Sequence, residues 1–151
     1  MKVLALILLL GAVVAPIAST SCPDGWMPYG GKCYYFRRTA QSWTAARSWC
    51  QGQGGDLARP DTSSRNSFIT YLTYGMENVW IGLSDGANEG HFHWLGTNQH
   101  AEYTPWKSGQ PDNHNGREDC AMTNFRGGGY WNDANCGSAY RFVCERYASS
   151  C

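Results

Sequence analysis

The spacing of apolar positions changes along the chain and predicts its elements in order. Val3 to Val14 is an apolar run behind one positive residue, Lys2, and it leads into the small residues Ala15 to Ser21. A charged start, an apolar middle too short to span a bilayer and a small-residue end form the layout of a secretory signal peptide. Residues 1–18 are assigned to it, with cleavage between Ala18 and Ser21. Pro23-Asp24-Gly25 and Tyr29-Gly30-Gly31 are turn signals among aromatic residues. They predict a hairpin of Trp26 and Cys33-Tyr34-Tyr35-Phe36, which a bridge from Cys22 to Cys33 would close. Trp43, Ala46 and Cys50 fall at i, i+3 and i+7, predicting a helix over Thr39–Gln51, capped by Thr39 or Ser42 and stopped by Gly52, Gly54 and Gly55. Phe68, Ile69 and Leu72 predict a second helix over Asp61–Leu72, capped by Asp61, Thr62 or Ser63. From Val79 the pattern shortens to strands: Val79–Leu83, a pair around Phe92 and Trp94, Cys120–Met122, Gly129–Trp131 and Tyr140–Cys144. Helices early and strands late, around a long polar stretch from Gly96 to Gln110, make an α+β fold.

Composition narrows this picture. A chain of 151 residues holds one domain, and removal of the signal leaves about 130 residues. The formal charge is zero, and no basic stripe suggests nucleic acid. No later apolar run is long enough for a membrane span, so a secreted, extracellular chain is expected. All seven cysteines follow the signal: Cys22, Cys33, Cys50, Cys120, Cys136, Cys144 and Cys151. In a secreted chain they read as a disulfide framework with one left over.

The candidate chemistry lies in Gln110-Pro111-Asp112-Asn113-His114-Asn115-Gly116-Arg117-Glu118-Asp119-Cys120, together with Trp131-Asn132-Asp133. Asp112, Glu118, Asp119 and Asp133 supply carboxylates, and Gln110, Asn113 and Asn132 supply amide oxygens. A hard cation with a flexible oxygen shell, such as Ca²⁺, takes this kind of set. Other chemistry is thinner. His91 and His93 share one strand face and make half a zinc site, but no third ligand stands at a convincing spacing. Ser84-Asp85 and His114 assemble into a triad only on paper, with no Gly-x-Ser-x-Gly elbow, so an enzyme is not expected.

Read in order, Trp43-x-x-Ala46-x-x-x-Cys50, Trp80-Ile81-Gly82-Leu83, Gln110-Pro111-Asp112, Glu118-Asp119-Cys120, Trp131-Asn132-Asp133 and Phe142-Val143-Cys144 resemble the motifs of the C-type lectin-like domain. The resemblance covers residues 22–146 and leaves 147–151 as a tail. It implies two helices, two small antiparallel sheets and a long calcium-binding loop region. It also implies the pairs Cys50–Cys144 and Cys120–Cys136, with Cys22–Cys33 as the extra bridge of the long form. Cys151 is then the odd cysteine and a candidate for an interchain disulfide and a homodimer. Short chains of this layout resemble invertebrate humoral lectins and perlucin-like matrix proteins. The implied function is calcium-dependent carbohydrate binding in innate recognition or agglutination; the alternative is an extracellular matrix or biomineral-associated role.

Carried onto this chain, the resemblance gives the sugar-binding calcium to Gln110, Asp112, Glu118, Asn132 and Asp133, with Pro111 in cis. A second calcium falls to Asp85, Glu89, Asn113 and Asp119 with the Glu118 carbonyl. Gln-Pro-Asp is the family's galactose-type order. Galactose binders usually carry Trp two residues after the Asp, and here that position is His114, which implies relaxed selectivity with mannose-type glycans still admissible.

Overall fold

The computed structural model describes residues 20–150. The expected signal segment and Cys151 lie outside the described residues. The elements are β1 (Thr20–Ser21), β2 (Met27–Tyr29), β3 (Lys32–Gln41), α1 (Trp43–Gly52), β4 (Asp56–Leu57), α2 (Ser63–Leu72), β5 (Val79–Ser84), β6 (His93–Trp94), a 3-10 turn (His114–Gly116), β7 (Cys120–Thr123), β8 (Asn132–Ala134), β9 (Tyr140–Tyr147) and β10 (Ser149–Ser150). This is the expected α+β arrangement. The two antiparallel sheets, β2-β3-β9 and β5-β7-β8, are joined edge to edge by a parallel pairing of β5 with β9, so they form one twisted layer. β4 adds to β9, β6 adds to β5, and β1 pairs with β10.

Several predicted boundaries move. The first helix starts at Trp43, not Thr39: β3 runs on to Gln41, which pairs with Tyr140, and Ser42 caps the helix by accepting from Ala45 N–H. Cross-strand pairing overrides the weak helical signal of residues 39–41. The second helix begins at Ser63, with Thr62 as its cap. The strand expected at Gly129–Trp131 begins instead at Asn132. Arg126, Gly127, Gly128 and Gly129 all hold positive φ, which prolongs the turn. Gly129 is required there: a Cβ would stand 2.9 Å from Thr70 Oγ1 and 3.0 Å from Asn66 Nδ2.

The core lies between the helices and this layer. Cys50 of α1 is fully buried in one cluster with Trp80, Phe142 and Cys144, and Trp43 Nε1 donates to the Ile81 carbonyl at 2.9 Å. Gly82 lets β5 pass close to β4, since a Cβ would come within 2.7 Å of the Leu57 carbonyl oxygen. Disulfides join Cys22 to Cys33, Cys50 to Cys144 and Cys120 to Cys136. Cys50–Cys144 spans 94 residues; by loop entropy such a bridge stabilises by about 4–5 kcal/mol.

Candidate functional site

The polar stretch after β6 is tied to the sheet by aromatic side chains. Phe92 packs on Trp106 with ring centres 4.8 Å apart, and Trp94, Tyr103 and Trp106 each meet Trp131 edge-on at 5.7 to 5.8 Å. Main-chain bonds fix the register: Trp131 N–H donates to the Pro105 carbonyl and Lys107 N–H to the Trp131 carbonyl, both at 2.9 Å. Gln110 N–H then donates to the Lys107 carbonyl at 2.8 Å, and the Gln110–Pro111 bond is cis.

This register delivers Asp112 and Glu118 to Asp133 at the centre of β8. Their carboxylates offer oxygens that all lie within 4.8 Å of one another. Asp133 is 1% exposed and accepts from Asp112 N–H at 3.1 Å and Asn113 N–H at 2.7 Å. Glu118 accepts from His114 N–H at 2.9 Å and donates its own N–H to Asn113 Oδ1 at 3.1 Å. Asn132 turns its Nδ2 to the Asp133 carbonyl. Gln110 Oε1 and Asn132 Oδ1 are buried with no hydrogen-bond partner among the described residues. A buried acceptor left unpaired costs about 1–3 kcal/mol. Three carboxylates with two unpaired amide oxygens suit a divalent oxygen-seeking cation.

A second group forms beside the first. Asp85, Glu89 and Asp119 also place carboxylate oxygens within 4.8 Å of one another. Asp85 is 2% exposed; its Oδ2 accepts from Gly90 N–H at 2.8 Å, while Oδ1 is buried and unpartnered. Asn113, expected in this set, has its Oδ1 on the Glu118 N–H instead. His114 is exposed. The structure links it to the first group through its main chain.

Electrostatics agree with the geometry. Burial raises the Glu118 pKa above the ordinary glutamate value; the His114 N–H opposes this, and the Asp133 and Asp112 charges add to it. Burial likewise raises Asp85, opposed by the Gly90 N–H and reinforced by Glu89 and Asp119. A cation binds the ionised forms, so protons compete. Affinity for any divalent cation held by these carboxylates is expected to fall on acidification, starting above the range of an ordinary glutamate. Titrations between about pH 8 and pH 5 check this, and an affinity flat across that range refutes it. Without calcium the sign reverses. A carboxyl whose pKa is higher folded than unfolded favours the folded state below its unfolded pKa, and that contribution is lost as pH rises through the folded value. In EDTA, stability should therefore decline as these groups ionise.

One structural contributor escaped the sequence reading. Asn66 of α2 is 5% exposed; its Oδ1 accepts from Trp131 Nε1 at 2.9 Å and Thr123 Oγ1 at 3.1 Å, and its Nδ2 donates to the Gly129 carbonyl at 2.7 Å. It thus clamps the segment that enters β8. The signal was present: Asn66, Ile69 and Thr73 share a helical face and are all buried, and polar residues on an apolar stripe call for partners.

The family model described as the Lectin C-type domain matches residues 39–146. The galactose-specific lectin nattectin of Thalassophryne nattereri is 39% identical over 141 residues, covering 91% of this chain and 87% of nattectin. C-type lectin domain family 17, member A of Homo sapiens is 36% identical over 129 residues, covering 85% of this chain; the chain spans only 33% of that longer protein. The carbohydrate-recognition domain of the mouse scavenger receptor C-type lectin superposes with a TM-score of 0.79 at 34% identity, covering 86% of this chain and 99% of that one.

Proposed function

The chain belongs to the C-type lectin domain family and is a carbohydrate-binding lectin rather than an enzyme; from that premise we propose that it binds galactose-type glycans through calcium held by Gln110, Asp112, Glu118, Asn132 and Asp133. The observation that carries this reading is the meeting of three carboxylates within 4.8 Å, with the amide oxygens of Gln110 and Asn132 left buried and unpaired. Calcium, when bound, supplies coordination positions for two neighbouring sugar hydroxyls. The protein ligands sort the hydroxyls by hydrogen bonding. An amide NH₂ donates and a carboxylate only accepts, so Gln110 presents a donor on one side and Asp112 an acceptor on the other. That order supports galactose, and nattectin carries galactose specificity in its name. His114 replaces an indole with a smaller ring, which supports relaxed selectivity. Asp85, Glu89 and Asp119 would hold a second calcium and supply it with three carboxylates.

The test is retention on galactose- and mannose-coupled resin in millimolar calcium, with EDTA elution. The chain should bind galactose resin more tightly and elute with EDTA. The double substitution Gln110→Glu with Asp112→Asn exchanges donor and acceptor at constant total charge and should reverse the preference. Retention on neither resin would overturn the reading.

The apolar leader supports secretion, and among the described residues no helix is long and apolar enough to cross a membrane. Cys151 supports an interchain disulfide, and pairing two weak sites raises avidity without new contacts. A monomer on a non-reducing gel would rule the dimer out.

A further inference from the structure

A half-buried cation rests on an exposed ring beside the first carboxylate group. Lys107 Nζ stands 4.5 Å from the centre of the Tyr130 ring. Tyr130 is 45% exposed, a large side chain left at the surface. Its ring is held along one edge: a Cβ on Gly128 would stand 3.2 Å from Tyr130 Cε2. Among the described residues Lys107 joins no ion pair; the four pairs use Lys32, Arg47, Arg59 and Arg65. The main chain ties both residues to Gln110 and Asn132. The bond from Gln110 N–H to the Lys107 carbonyl closes a four-residue turn, which keeps the two Cα atoms within about 7 Å. Tyr130 precedes Asn132 by one intervening residue, so their Cα atoms are also no more than about 7 Å apart. The bond from Lys107 N–H to the Trp131 carbonyl locks the two segments side by side. Charge and ring therefore border the site along the edge that Gln110 and Asn132 form.

We propose that Lys107, seated on Tyr130, is a flanking subsite for an anionic substituent, a sulfate ester or a carboxylate, on the galactose-type glycan. The inference rests on the sugar-binding reading and deepens it by naming the class of glycan. An ammonium with no counter-ion is matched by an anion better than by a hydroxyl, because charge-assisted hydrogen bonds are roughly twice as strong as neutral ones. It offers three donors in no fixed plane, which suits the several acceptor oxygens of such a group. The face of the tyrosine attracts the cation. That contact restricts the long lysine stem before a ligand arrives, so less side-chain freedom is lost on binding. Calcium also changes the local charge. It cancels two of the three negative charges on Asp112, Glu118 and Asp133, so an anion meets less repulsion in the loaded protein than in the empty one.

The whole protein is held on galactose resin in millimolar calcium and eluted with methyl galactoside, its 2-sulfate, its 6-sulfate or the corresponding uronate. Each of these sugars keeps two neighbouring hydroxyls free for calcium, and the three anions present charge at different positions and of both kinds. At least one should elute the protein at about two- to fivefold lower concentration than the neutral sugar, the strength of a solvent-exposed ion pair. In Lys107→Met that ratio should fall to one, whatever the variant's own affinity for galactose, and Lys107→Arg should keep it. In the unaltered protein, salt at about 1 M should erase it, since screening then acts within about 3 Å; this arm does not depend on how the variants fold. Ratios of one for all three anions overturn the inference and leave the sugar reading standing. A preference that survives Lys107→Met, or that survives the salt, overturns it too, because the anion is then held elsewhere. Failure to bind the galactose resin at all overturns the sugar reading and this inference with it.

Discussion

Asp133→Ala is expected to abolish retention on galactose resin and to weaken calcium binding at least about 100-fold, the upper end of the cost of disturbing a metal's surroundings. Asp133 does two things at once. It contributes one of the three charges that gather within 4.8 Å, and its two oxygens hold Asp112 N–H and Asn113 N–H. Alanine removes the charge and also frees the backbone that aims Asp112. Asp112→Ala removes a charge but leaves the Asp133 bonds in place, so it should cost less. Calcium titration by calorimetry separates the two. Equal losses would show that Asp133 acts as a ligand alone, with no part in ordering the loop.

The second large effect is expected from α2. Asn66→Leu is close to isosteric, but it leaves Trp131 Nε1–H without an acceptor in a buried site, while Thr123 Oγ1–H and the Gly129 carbonyl, 3.4 Å apart, keep only each other. With about 1–3 kcal/mol for the unpaired indole N–H and the weakening of the other two bonds, the loss should be about 2–4 kcal/mol. For a domain of this size that lowers Tm by about 5–15 °C. Asn66→Asp keeps the acceptor for Trp131 and Thr123 but sets a buried carboxylate oxygen against the Gly129 carbonyl oxygen, so it too should melt below the parent protein. Thermal melts in calcium check the order. A leucine variant that melts with the parent protein would mean the network contributes nothing net.

The frame of this domain was legible because its signals are local or repeated. The i, i+3, i+7 spacing of Trp43, Ala46 and Cys50 marks one helical face, and all three are buried. The run Val79–Leu83 marks a strand buried on both sides, which the structure places at the junction of the two sheets. The carboxylates were legible because oxygen-rich residues cluster within a few positions of one another. Other features depended on distant partners. Whether Thr39–Gln41 is strand or helix is decided by Tyr140, about a hundred residues away. Nothing near Asn66 in sequence reveals that it will meet Trp131. His100 pairs with His93 only because the chain between them folds back.

The bridge between Cys120 and Cys136 has a chemical consequence. It encloses β8, and with it Asn132 and Asp133, in a covalent loop of sequence separation 16. Cys120 is buried but Cys136 is partly exposed, whereas Cys50 and Cys144 are both fully buried. Thiolate exchange needs access to a sulfur, so a reductant reaches the loop bridge before the one that spans the domain. On the proposed reading, a mild reductant would loosen the calcium-binding strand before it unfolded the domain.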